Sequence, residues 1–148
     1  MLRSLGAVLL LALVAGVTAR ADDERATFFV SATVPARVTI EAVEHPTRLV
    51  ITEDDVLAGH KDVSVRYSVS QNSERGWVLR FSPRIGITRQ VEVRGLSRDF
   101  VIRDEGVEVY RPGIAAREDI SLDYRLVLDT DARAGTYDMP VHVSATPL

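Results

Sequence analysis

The chain predicts an all-β protein, an antiparallel β-sandwich, on three observations. Apolar and polar residues alternate with period two in about ten short runs, the mark of half-buried strands. The runs recur every 8–12 residues and are separated by Gly, Pro, Asn and Asp clusters, which is sandwich or barrel spacing. After the first 21 residues no window carries apolar residues at i, i+3, i+4 and i+7 over three turns, so no amphipathic helix is expected.

The elements follow in order. Phe28, Val30, Ala32 and Val34 alternate with Phe29, Ser31 and Thr33, and Pro35 interrupts the run because it has no N–H for a ladder. Val38, Ile40 and Ala42 resume it, and Leu49 and Ile51 form a short strand after Pro46. The polar stretch Glu53–His60 reads as a loop. Val63, Val65, Tyr67 and Val69 make the cleanest alternation, and residues 71–76 read as a turn. Trp77, Leu79 and Phe81 form the next strand, closed by Pro83. The pairs Val91 and Val93, Phe100 and Ile102, and Val107 and Val109 follow. Ile120 to Leu128 makes a long strand, residues 129–135 a turn, and Tyr137 to Ala145 the last strand.

Residues 1–21 stand apart. Arg3 precedes an apolar run from Leu5 to Val17, and Ala19-Arg20-Ala21 supplies small residues before Asp22-Asp23-Glu24. Charged start, apolar middle and A-x-A end describe a secretory signal peptide. The run is too short for the roughly 20 apolar residues of a membrane span, so export and removal are expected, leaving no membrane span. Removing 21 of 148 residues leaves 127, Asp22–Leu148, the size of one domain. Arg3 and Arg20 leave with the signal, taking the formal charge from −3 to −5. A mildly acidic chain lacks the concentrated basic surface that nucleic-acid binding needs. The chain has no cysteine, which excludes disulfides, thiol catalysis and thiolate metal sites. It also has no N-x-S/T sequon. With the short leader, this favours a bacterial periplasmic, cell-surface or secreted protein.

Asp131-Ala-Arg-Ala-Gly135-Thr-Tyr137 precedes the last alternating strand. In immunoglobulin-like sandwiches a tyrosine near the start of the penultimate strand bonds back to the turn before it. Tyr137 is the candidate for that corner, a structural role. If Tyr137 opens the penultimate strand, the residues after it complete that strand and no other, so the sandwich would expose an apolar groove. An open edge of that kind invites pairing with another chain.

Phe28-Phe-Val-Ser-Ala-Thr-Val34, with the ending Tyr124-Arg-Leu-Val-Leu and Ala134-Gly-Thr-Tyr-Asp-Met-Pro-Val-His-Val-Ser-Ala145, resembles bacterial fimbrial subunits and spore coat U-like, pilin-like secreted domains. The resemblance implies an incomplete immunoglobulin-like sandwich completed by a strand from a neighbour or chaperone. It also implies a structural or adhesive surface protein. Phe28, Val30 and Val34 would be the residues of the partner strand, and self-association or a protein partner would act through the exposed edge. The alternative is a self-complete sandwich, Ala26–Val34 folding back into its own domain, that binds a protein or carbohydrate partner.

Chemistry finds little support. Glu53-Asp54-Asp55 and Asp129-x-Asp131 do not match a calcium loop, and acidic turns explain them. His45, His60 and His142 are dispersed, with no i,i+2 or i,i+4 ligand pair. No nucleophile elbow, HExxH or phosphate loop occurs, and Asp104 and Glu105 are adjacent, so on a strand they face opposite sides. No catalytic residue, metal or cofactor is expected, and the chain is read as a non-enzyme. Trp77, Phe81 and Tyr67 alternate on their strands and belong to a core. Arg84, Arg89, Arg94 and Arg98, followed by Asp99, Asp104 and Glu105, make a solvated mixed face.

Overall fold

The computed structural model describes residues 29–84, 86–113 and 115–148. The body of the fold is Val34–Leu148, and residues 29–33 belong to a separate unit. The leader, its cleavage site and Phe28 lie outside the described residues. Residues 29–37 have no regular secondary structure, and Phe29, Val30 and Val34 are exposed. Among the described residues the strand expected there does not form. Its alternation is real, but a strand needs a partner ladder as well as a pattern.

The body is all-β with antiparallel pairing. Its strands are β1 (Val38–Glu44), β2 (Arg48–Ile51), β3 (His60–Gln71), β4 (Trp77–Pro83), β5 (Thr88–Arg94), β6 (Phe100–Ile102), β7 (Val107–Arg111), β8 (Arg117–Leu128), β9 (Gly135–Asp138) and β10 (Val141–Pro147). One sheet has the order β1-β3-β8-β5-β6, a second β10-β4-β7, and β2 pairs β9 in a separate ribbon. The long β3 and β8 form the centre of the first sheet, paired from His60↔Val127 to Ser70↔Arg117.

Period-two alternation decides what each sheet buries. Val65, Tyr67 and Val69 of β3 and Ile120, Leu122, Tyr124, Leu126 and Leu128 of β8 all face one core. Trp77, Leu79 and Phe81 of β4 and Val141 and Val143 of β10 face it from the second sheet. The other face of the first sheet is laced with cross-strand charges. Arg125 grips Asp62 through two bonds of 2.8 and 3.0 Å, Arg66 meets Glu44 at 3.2 Å, and Arg94 lies 3.6 Å from Glu92 and 3.9 Å from Asp99. Such exposed pairs add little stability but keep this face in water.

Two expectations fail locally. Glu53–Ala58 is a short helix, α1, where a loop was expected. Thr52 and Asp55 form a reciprocal capping box, and Gly59 ends the helix at φ 72°. The acidic residues read as a solvated turn are the first turn of that helix, where negative charge is favourable. The expected last strand, Tyr137 to Ala145, is two strands. Tyr137 pairs with Leu49 across the β2–β9 ribbon, whereas Val141 onward pairs with β4. The break falls at Met139-Pro140, and Pro140 has no N–H to carry a ladder across it.

Candidate functional site

The two lateral openings of the body are built differently. On one, β6 and β7 are the sheet edges, joined by the short connection 103–106. Phe100 of β6 stacks edge-on against Phe81 of β4, with ring centroids 5.1 Å apart, and Ile102 is buried beside them. Both edge strands are short, three and five residues, which limits pairing with another chain.

On the other, β1 and β10 are the edges. Each is seven residues long and, among the described residues, each lacks a partner on its outer side. They approach to within 8 Å between Cα atoms at their nearest without pairing. Between the later half of β1 and the earlier half of β10 the gap opens into a cavity of about 430 Å³. Ile40 and Ala42 form one wall, Met139, Val141 and Val143 the other, with Tyr67 also lining it. His45, Thr47, Arg84, Asp138 and His142 add polar groups to the lining. The geometry is a groove with apolar walls and two free backbone ladders, which suits an extended segment with apolar residues on alternate positions.

Tyr67 and Tyr124 place their hydroxyls in the interior without a hydrogen-bond partner. Burial pushes both phenols above their ordinary range, and proximity of Tyr67 adds to the rise at Tyr124, although the two do not align as donor and acceptor. The His45 ring tilts against Tyr67, with centroids 5.6 Å apart. Burial lowers the His45 pKa against two backbone bonds that raise it, so the neutral form is favoured beside the apolar wall.

The residues singled out in the sequence are distributed as follows. Tyr137 donates its hydroxyl to the Arg133 carbonyl at 2.9 Å, tying the residues before β9 to the strand. Val34 is exposed at the start of the body, Val30 is exposed in the preceding unit, and Phe28 is outside the described residues. Trp77, Phe81 and Tyr67 are buried, at 1 %, 0 % and 5 % exposure. The arginine group is divided, since Arg94 pairs with Glu92 and Asp99 while Arg84 and Arg89 line a separate cavity with Arg103. The dispersed histidines are brought partly together, with His45 and His142 on one groove. Asp55, in the acidic stretch read as a surface turn, is committed to Thr52 and Lys61. Among the described residues no three His, Cys, Asp or Glu side chains gather as a metal site. No helix among them is long and apolar enough to cross a membrane.

Sequence reasoning missed the groove walls as a set. Ile40, Tyr67 and Val141 were each legible as inward-facing. Their meeting at an unpaired edge depends on strand order, which no local pattern encodes. The chain matches no known family profile, no curated protein and no solved structure.

Proposed function

We propose that this chain is an exported structural or adhesive surface protein of pilin-like type, whose sandwich is completed by strand addition at the β1–β10 groove. The occupant is the segment Ala26–Val34 of a second copy. The observation that carries this reading is the pair of long unpaired edges, β1 and β10, flanking an apolar-walled cavity. The strand order supports an immunoglobulin-like arrangement. In that fold strands A, B, E and D share one sheet, and C and F lie together in the other with G beside F. Here β1-β3-β8-β5 takes the places of A-B-E-D, and β4 and β10 those of C and F. The place of G, outside β10, is the groove.

The segment fits in pattern and length. Phe28, Val30, Ala32 and Val34 fall on one face of an extended chain and span seven residues, as β10 does. Each large apolar side chain contributes roughly 1.5–3 kcal/mol when fully buried. Three of them amount to a large share of the roughly 5–15 kcal/mol that stabilises a domain. The apolar leader supports export, which brings such a subunit to the surface.

The polar groups lining the cavity favour a second reading, a self-complete module that binds a protein or carbohydrate there. One experiment separates the two. The mature chain Asp22–Leu148 is purified, and a variant lacking residues 22–34 is mixed with a synthetic peptide of residues 22–34. Strand addition between copies expects concentration-dependent multimers of the mature chain. It also expects the shortened variant to bind the peptide as a folded monomer. A mature chain that stays monomeric, with a shortened variant equally stable and indifferent to the peptide, overturns the proposal.

A further inference from the structure

The geometry points to Asn72 as the residue that decides where the N-terminal segment goes. It holds the chain before β1 in line with that strand and so directs Ala26–Val34 to a second copy instead of back into its own groove. This inference rests on the strand-addition reading and adds to it the residue that selects the partner.

Three bonds carry the argument. The β1–β3 ladder starts at Val38↔Gln71. One rung further out, the Asn72 backbone N–H donates to the Arg37 carbonyl at 3.1 Å. The Asn72 side chain then extends the ladder: its Oδ1 accepts the Arg37 N–H at 2.5 Å, and its Nδ2 donates to the Pro35 carbonyl at 3.1 Å. One residue thus holds Pro35–Arg37 along the continuation of β1. Pro35 assists, because proline biases the residue before it, Val34, toward extended backbone.

Those same three residues are the ones that a return would have to bend. To fill its own groove, the segment 28–34 would run antiparallel to β1 and beside it. The connection would be 35–37, a three-residue hairpin loop of ordinary length. To make that turn, the chain would have to form it with both Pro35 and Arg37 still tied to Asn72, or break those bonds. The clamp matters because a tethered strand faces its own groove at an effective concentration of about millimolar. At micromolar protein, an unobstructed return would outcompete a second copy by roughly a thousandfold. Assembly between copies therefore needs a device that blocks the return, and Asn72 is placed to supply it.

The test uses the mature chain with Ser31→Cys and Ser144→Cys, the midpoints of the segment and of β10, in a sequence with no other cysteine. With Asn72 intact, oxidation at micromolar protein should give interchain ladders on a non-reducing gel. With Asn72→Ala the product should move to intrachain-linked monomer, by at least about tenfold in the monomer-to-ladder ratio. Asn72→Asp keeps the acceptor for Arg37 and loses the donor to Pro35, and serves if the alanine variant does not fold. It should move the ratio the same way. Ladders in equal proportion with and without Asn72 overturn the clamp and leave strand addition standing. Intrachain linkage with Asn72 intact also overturns it. No cross-link in any variant, with no uptake of the 22–34 peptide by the shortened chain, overturns the strand-addition reading itself.

Discussion

The two lateral openings of this fold differ in how the chain passes between the sheets. Where β6 and β7 form the edges, a short connection links them, and Phe100 stacks edge-on against Phe81. Where β1 and β10 form the edges, the strands are far apart in sequence, and a cavity lined by Tyr67 remains between them. Both openings face the same core. The aromatic contact on one side and the cavity between the two edge strands on the other follow from connectivity and from the side chains placed there, because core composition is apolar on both.

This contrast predicts different responses to truncation. Phe81→Ala on the closed side removes a fully buried ring and leaves a void that its packed neighbours fill poorly, so unfolding by denaturant should show a loss of about 3–5 kcal/mol. Ile40→Ala on the open side removes a partly buried chain already bordering free space. Its cost should stay below about 1.5 kcal/mol, since little packing is lost. Equal costs at the two positions would mean that the groove is as tightly filled as the opposite side. Ile40→Lys sharpens the comparison: an inward-facing charge at an open edge blocks strand addition. Multimers of the mature chain should disappear in light scattering while the far-UV dichroism is kept.

Much of this was legible in the sequence, and the limits have physical causes. Among the described residues eight of the ten strands, β1 to β8, stand where alternation placed them, because a half-buried strand must alternate, while β9 and β10 were expected as one. Two features were hidden. The Thr52–Asp55 capping box has the right residues, but α1 is too short for apolar periodicity to show. The groove was expected because no strand was thought to follow the one Tyr137 opens; β10 does follow β9, and the groove walls come from residues about a hundred positions apart, such as Ile40 and Val141. Asn72 is the extreme case. Its partners Pro35 and Arg37 are distant in sequence, and nothing around it marks it as more than a turn residue.

A smaller effect is expected at Tyr137, on the ribbon next to the open side. Tyr137→Phe removes the bond to the Arg133 carbonyl. That bond is exposed, so water replaces the lost donor and the cost should be about 1 kcal/mol. At Tyr67, whose hydroxyl is buried without a partner, the same Tyr→Phe change should cost less than about 0.5 kcal/mol, since no bond is lost. Reversal of that order in a thermal melt would show that the buried hydroxyl, and not the exposed corner, carries the stabilising bond.

The most local effect concerns α1, which belongs to neither opening and serves as a control for both. The Thr52 backbone N–H, then the Lys61 ammonium at 2.9 Å and the Thr52 hydroxyl, hold the Asp55 carboxyl down to about 2. A carboxyl lower in the folded than in the unfolded chain stabilises the fold above its ordinary value of 3.8, and that contribution is lost as the pH falls toward 2. Asp55→Asn removes the titration. At neutral pH the variant should be less stable by about 0.5–2 kcal/mol, the range of a helix N-cap. The gap between variant and parent should narrow from pH 4 to pH 2, because only the parent loses a charge there. The multimer distribution should be the same in both at pH 7, since Asp55 does not line the β1–β10 groove. A gap that stays constant down to pH 2 would show that the Asp55 charge adds nothing to the cap. A change in multimers at pH 7 would show that α1 and the open edge are coupled.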